Sequence, residues 1–386
     1  MKLLKFFKFN EYKIRKFDFG IVLIIIALCI LGYFVLGSAL AKDPERDSFL
    51  QKQLLGFAVG GGAMLVLALL DYHVLFRLSP LIYIGILGLL GAVLVSGVTL
   101  NEATRWVKIA GIQIQPSEFA KVGIIIVVAA FIDKYLDKIN KPLYLALLLG
   151  VVAAPIGLIL MEPDLSTTIV VAVVFVCMLY VGKISYKWIL GAVGVAIPVV
   201  GFMIYDLTRE EPIFFETYQK NRIMSWLFPD TYAASGLTTQ QDNSVMAISS
   251  GQLWGKGLNN TSFESVKNGN FLSEENNDFI FAIVGEELGF AGSMFIIILM
   301  TALALSCFKI AYKAKDIGGR VIATGVGVTI GFQTFVNIGV SSGLLPNTGL
   351  PLLFISSGVS SLLCAFAAFG IVLNVGLQRR DRDADW

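Results

Sequence analysis

Histidine is almost missing from this sequence: His73 is the sole one in 386 residues. It stands near Arg77 at an expected helix end, so neither a histidine-built metal centre nor a histidine-based catalytic triad is expected. Cysteine is scarce as well. Cys29, Cys177, Cys307 and Cys364 each lie singly in apolar runs, where thiols read as buried packing groups and not as metal ligands or disulfides. Charge is the third shortage, at 15% of residues, against roughly 25% in soluble domains. The net charge of +2 gives no footprint for nucleic acid.

Apolar residues fill the space left. They make up 56% of the chain, about 216 positions. A membrane-spanning helix needs roughly 20, so about ten spans account for most of them. A soluble enzyme with one anchor, a disordered protein and a secreted disulfide scaffold are excluded. The expected fold is an all-α polytopic membrane protein. Its helices fall near 18–40, 52–71, 78–97, 117–133, 142–161, 165–182, 187–205, 278–308, 319–343 and 350–377. The first apolar run is too long for a cleavable signal peptide and follows a basic stretch.

Loop charges give the helices a direction. The N-terminal segment holds Lys2, Lys5, Lys8, Lys13, Arg15 and Lys16. Every second connection is basic again: Arg77; Lys134, Lys138 and Lys141; Lys183 and Lys187; Lys309, Lys313, Lys315 and Arg320; then Arg379, Arg380 and Arg382. The alternate loops carry Asp43, Glu45 and Asp47, then Glu162 and Asp164. The positive-inside rule therefore puts both termini in the cytoplasm. The expected organisation is a basic cytoplasmic segment at 1–17, one transmembrane domain at 18–378, and a short cytoplasmic tail at 379–386. The polar stretch at about 206–277 falls outside. Its apolar residues, from Ile213 through Trp226 to Phe228, suit an amphipathic helix on the membrane surface. Gly251, Gly255 and Gly257 mark bends further on. A lid without chemistry is the plain alternative for this stretch.

Ionisable groups within or beside spans are costly, so each is a functional candidate. Arg105 and Lys108 precede Pro116-Ser117-Glu118, with Lys121 three residues after Glu118 on the same helix face. These cations could converge on an anionic headgroup, or Glu118 and Lys121 could form a structural pair at the helix entry. Glu162-Pro163-Asp164 makes a sharp turn, in which Asp164 either caps the next helix or walls an outward-facing cavity. Asp278 stands where the long loop enters a span, and Glu286 follows about 12 Å deeper. Asp278 is a helix cap or a general base at the water–membrane boundary. Finally, Asn337, the Gly343–Pro351 stretch and Ile355–Ser361, which includes Ser356, hold glycine, proline and serine at a density that suggests a re-entrant connection. Close packing of helices through small residues is the simpler account.

These pieces together resemble the SEDS family of polytopic membrane proteins, the RodA, FtsW and SpoVE group. The resemblance covers about 15–377. Its carriers are Arg105-Trp106, Pro116-Ser117-Glu118 with Lys121, Pro163-Asp164-Leu165, Gly255-Lys256-Gly257, Asp278-Phe279-Ile280-Phe281 with Glu286-Glu287-Leu288-Gly289, and Gly343-Leu344-Leu345-Pro346 with Thr348-Gly349. The chain departs from the family pattern at Glu162 and Ser166, at Asn276-Asn277 before the aspartate, and at Leu353, Ser357 and Val359 near the last span.

The resemblance implies an inverting peptidoglycan glycosyltransferase. It would join lipid II disaccharides outside the cytoplasmic membrane and release undecaprenyl pyrophosphate. Asp278 matches the family's catalytic aspartate. Arg105, Glu118 and Lys121 match its charged cavity positions, and Lys108, Asp164, Glu286 and Ser356 join them as expected substrate contacts. No metal ligand set is expected, although a divalent cation, magnesium or manganese, could assist at the pyrophosphate. The implied partners are lipid II, the growing glycan strand, a class B penicillin-binding protein acting as transpeptidase, and other elongation or division proteins. The stretch from Asp278 to Ala282 reads as RodA-type. A lipid II flippase or transporter, or a non-catalytic scaffold for a transpeptidase, are the competing readings.

Overall fold

The computed structural model describes residues 16–100, 103–109, 112–209, 212–213, 215–232, 238–260 and 277–378. The basic residues Lys2 to Arg15, the end of the long loop at 261–276 and the tail 379–386 lie outside the described residues. So do the expectations placed on them.

The chain is helical nearly throughout. It runs α1 (Phe19–Ala39), α2 (Arg46–Leu69), a short α3 (Tyr72–Arg77) and α4 (Ser79–Ser96). Three strands follow, β1 (Val98–Leu100), β2 (Ala103–Ile109) and β3 (Ile112–Ile114). Then come α5 (Pro116–Lys134), α6 (Pro142–Met161), α7 (Leu165–Val181) and α8 (Tyr186–Leu207). The long loop carries α9 (Thr217–Leu227), α10 (Pro229–Tyr232) and α11 (Thr239–Ser250). The chain closes with α12 (Ile280–Tyr312), α13 (Ile317–Ser341) and α14 (Val359–Leu377).

Among the described residues, eight helices are long and apolar enough to cross a membrane: α1, α2, α4, α6, α8, α12, α13 and α14. The expected positions 117–133 and 165–182 are also helical. α7 is shorter, at 17 residues. α5 carries Glu118, Lys121, Asp133 and Lys134. Its middle, Gly123 to Ala130, is buried on every side, and so are Glu118 and Lys121, which face protein and not lipid. The core lies between α5, α7, α12, α13 and α14.

Three expectations need correcting. The connection from α4 to α5 is a three-stranded antiparallel sheet in the order β1-β2-β3, with Val98 opposite Trp106 and Val107 opposite Ile114. Thr104 to Val107 are half-buried and Lys108 is exposed, with no alternation of apolar and polar residues along β2. The expected span at 350–377 is helical only from Val359. Residues 350–358 are part of an irregular connection that begins at Ser342, because Pro346 and Pro351 withhold N–H groups and Gly343, Gly349 and Gly358 take positive φ. Third, α12 starts at Ile280 with Phe279 as its cap residue, so Asp278 precedes the helix and does not cap it.

α12 is interrupted at Gly289, which has φ 67° and ψ −166°. The break leaves the carbonyls of Glu286 and Glu287 without their usual donors at positions 290 and 291. The turn at 252–257 replaces both sides of the ladder. Lys256 N donates to Glu286 O and Gly257 N to Glu287 O, each at 2.9 Å. Phe290 N donates to Gln252 O at 2.8 Å and Ala291 N to Leu253 O at 3.0 Å. A Cβ on Gly289 would stand 2.3 Å from Gly255 N, so the two backbones meet only because both residues are glycine.

The long loop is ordered where it is described. A capping box between Glu216 and Gln219 starts α9. Trp226 donates to Gly343 O, Gln241 to Val340 O and Leu345 O, and Ser244 to Ser341 O. The acceptors are carbonyls in the last turn of α13 and in the first residues of the irregular connection that follows it. The loop thus packs over the irregular connection.

Candidate functional site

Asp278 sits in the turn that leads into α12 and is partly exposed. The turn is held from two sides. Asn337 Nδ2, on α13, donates to Asp278 O at 2.9 Å and to Leu350 O at 2.7 Å. Ser356 Oγ donates to Asn277 O at 2.7 Å while accepting from Leu352 N at 2.8 Å. Ser357 donates to the Asn277 side chain. The irregular connection therefore grips the backbone around Asp278 and leaves the carboxylate beside Gly349. A Cβ at Gly349, whose φ is 73°, would lie 3.3 Å from Asp278 Oδ2.

A second chain of contacts reaches the same connection from α5. Lys121 Nζ donates to Glu118 Oε1 at 2.8 Å and to Gln333 Oε1 at 3.0 Å. Gln333 Nε2 donates to Pro351 O at 3.0 Å. Lys121 and Glu118 are both buried, so the pair stands as a charge-neutral strut between α5, α13 and the connection.

The third group is the corner between α6 and α7. Asp164 caps α7, accepting from Thr167 N at 3.1 Å and Thr167 Oγ1 at 2.8 Å, and Ser117 Oγ reaches it at 3.3 Å. Arg105 on β2 donates to Pro163 O at 2.6 Å and to Tyr218 Oη at 2.9 Å, with Asp164 Oδ1 4.0 Å from its guanidinium. Tyr218 and Gln219 of α9 also donate to Pro163 O, at 2.8 Å and 3.0 Å. Three donors on one carbonyl hold Pro163 at φ 23°, outside its preferred range. Glu162, next to it, is 1% exposed. Burial pushes its carboxyl up to about 8, Asp164 adds to the rise, and Arg105 opposes it. Ser166, at the start of α7, donates to Thr348 O and joins this corner to the connection beside Asp278.

The expected site residues thus separate by role. Asp278, Glu118, Lys121, Asp164 and Ser356 belong to one continuous assembly around the irregular connection. Arg105 touches its edge, with its guanidinium engaged by Pro163, Tyr218 and Asp164. Lys108 is exposed on β2 and does not join Lys121. Glu286 is buried and accepts from Lys256 Nζ at 2.8 Å, so it fastens the 252–257 turn to α12. Sequence reasoning missed Gln333; it named Asn337 and Glu162 within candidate clusters but carried neither into the expected substrate contacts. The i, i+4 spacing of Gln333 and Asn337 in an apolar helix was the available signal. Among the described residues, no three His, Cys, Asp or Glu side chains converge as a metal ligand set, and no step below runs through a metal.

The family model for FtsW, RodA and SpoVE, described as cell cycle protein, matches residues 19–381. A probable peptidoglycan glycosyltransferase FtsW of Bacillus subtilis (strain 168) is 32% identical over 388 residues, covering 94% of this chain and 91% of that relative. The peptidoglycan glycosyltransferase MrdB of Escherichia coli (strain K12) is 34% identical over 364 residues, covering 94% of each. Among solved structures, a chain from a peptidoglycan synthase complex that coordinates polymerization and crosslinking superposes with TM-score 0.76 at 27% identity, covering 93% of this chain and 97% of that one. The rod shape determining protein RodA of Thermus thermophilus superposes with TM-score 0.67 at 26% identity, covering 95% and 98%. With matches spanning nearly the whole chain in sequence and in fold, the chain belongs to the FtsW/RodA/SpoVE family of cell cycle proteins.

Proposed function

We propose that this chain is a membrane-embedded peptidoglycan glycosyltransferase that polymerises glycan strands from lipid II at the outer face of the cytoplasmic membrane, with both termini inside. The observation that carries the reading is Asp278: a carboxylate at the mouth of α12, on backbone clamped by Asn337 and Ser356, next to Gly349. Relatives named as peptidoglycan glycosyltransferases support the same reaction class.

In the proposed step, a sugar hydroxyl of one substrate attacks the anomeric carbon of the other. The carbon–oxygen bond to undecaprenyl pyrophosphate breaks, and the hydroxyl proton passes to Asp278. One carboxylate suffices, because pyrophosphate leaves without a general acid and single displacement inverts the centre. Lys108 is the exposed cation for the departing charge, whereas Lys121 is neutralised by Glu118. Residues 18–378 act as one transmembrane domain, and the loop at 206–277 covers the sugar end. The structural relative from a complex that couples polymerization to crosslinking supports a transpeptidase of the class B penicillin-binding type as partner.

A flippase would need charges lining a path. Here Glu286 is paired with Lys256, Lys121 with Glu118, and Glu287 accepts from Ser38 at 2.6 Å. The test is polymerisation of lipid II by purified protein in liposomes with its transpeptidase. Glycan ladders on gels are expected from the native chain. Trans-bilayer movement of lipid II without polymer would select the flippase reading.

A further inference from the structure

We propose that the Glu162 carboxyl is a substrate contact that binds an uncharged hydroxyl or acetamido group of the sugar part of the lipid-linked substrate. This rests on the polymerase reading above and adds a residue and a ligand class to it. Glu162 is 1% exposed, and neither carboxyl oxygen has a hydrogen-bond partner among the described residues. Buried polar side chains are normally paired, and a buried orphan carboxyl is costly to keep. Glu162 is not an isolated defect. Arg105 Nε in the same corner, and Asn347 Oδ1 and Thr348 Oγ1 on the connection tied to that corner through Ser166, are likewise buried without partners. Gly349, next in the chain, abuts the Asp278 carboxylate. Unpaired donors and acceptors therefore occur both in the corner and on the connection that abuts the proposed base.

The charges choose the ligand class. Arg105 is balanced by Asp164 at 4.0 Å, so the corner offers an anion little net attraction. The charged groups acting on Glu162 are Asp164 from its own corner and Arg105 from β2, whose guanidinium also meets Tyr218 of α9. Of the helices packed on α6, α5 brings Glu118 and Lys121, paired with each other, and α4 brings Tyr83, whose hydroxyl donates to Val151 O. A neutral carboxylic acid in this setting both donates and accepts, which matches a sugar hydroxyl or acetamide. The sheet and α9 cover the corner through the single Pro163 carbonyl, and lifting that cover admits the ligand.

The experiment measures the Kd of lipid II for the full-length protein in nanodiscs from pH 6 to 9.5. Wild-type affinity should weaken as pH rises through about 8, where the acid ionises. Glu162→Leu should bind about tenfold more weakly at pH 7 and show no alkaline loss. Glu162→Gln, which keeps both donor and acceptor, should stay within about twofold of wild type and also lose the alkaline limb. Wild-type affinity in Glu162→Leu, or an alkaline limb retained in Glu162→Gln, would overturn the proposal. Polymer formation is scored separately. If the native chain makes no polymer but Glu162→Leu still loses affinity, the polymerase reading fails and the contact stands.

Discussion

Glu162 at one end of the helix bundle and Asp71 and Asp316 at the other are treated in opposite ways. α5 runs from Ser117, against Asp164, to Asp133, whose carboxylate accepts from Gly318 N. These positions lie about 24 Å apart along the helix. At the Asp133 end, Asp71 accepts from His73 N, His73 Nδ1 and Gln378 Nε2. Asp316 accepts from Tyr72, His73 Nε2 and Gly319 N. Burial alone would raise both acids, but hydrogen bonds, foremost from His73, hold them below the usual carboxylate range. Hydrogen bonds to Asp316 and Asp71 lift His73 to about 9. At the other end Glu162 is buried with no donor and rises instead of falling. The saturated Asp71 and Asp316 tie α2, α3, α13 and α14 together, whereas the unsaturated Glu162 lies in the corner that Ser166 joins to the irregular connection beside Asp278.

That contrast can be broken at either end. The largest effect is expected from Gly289→Val. It places a branched side chain at φ 67° and against Gly255 N, and should cost about 3 kcal/mol or more. Thermal unfolding or loss of folded protein on size-exclusion chromatography would register it. An unchanged melting temperature would contradict the backbone-to-backbone seal.

Glu162→Gln sharpens the contrast from the other side. An acid whose folded pKa is raised destabilises the fold progressively as pH climbs from its ordinary value of 4.5 to about 8. The amide should therefore leave stability unchanged near pH 4.5 and raise it by about 1–3 kcal/mol at pH 8. Melting curves in detergent at the two pH values measure this.

His73→Ala should have the smallest effect, with the reverse pH signature. A raised histidine contributes stability fully below about pH 6.5 and loses it through about 9. The side chain is 31% exposed, so solvent screening limits the loss to about 1–2 kcal/mol at pH 6. The variant should converge on wild type by pH 10. A constant difference across that range would mean that the histidine acts by packing alone.

The helix positions were legible because apolar runs about a bilayer long leave few alternatives. Asp278 was legible because a carboxylate at the mouth of an apolar run demands a reason. The sheet was not, because its strands are 3 to 7 residues long and carry Arg105 and Lys108 in what reads as a polar loop. The engagement of Arg105 by Pro163 and Tyr218 was equally hidden, since those residues lie 58 and 113 positions away. Glu286 shows the same limit. Its depth in a span was readable, but its partner Lys256 arrives through a turn whose docking depends on glycine meeting glycine. Proline and glycine density correctly marked the irregular connection, but not that it would clamp the backbone of Asp278.

The central claim is that Asp278 removes the acceptor proton. It is tested most directly by lipid II polymerisation with purified wild-type and Asp278→Asn protein, each with its transpeptidase partner. The amide is isosteric and should leave folding and lipid II binding intact while lowering glycan strand synthesis by about a hundredfold or more. Near-normal strand synthesis by Asp278→Asn would contradict the claim.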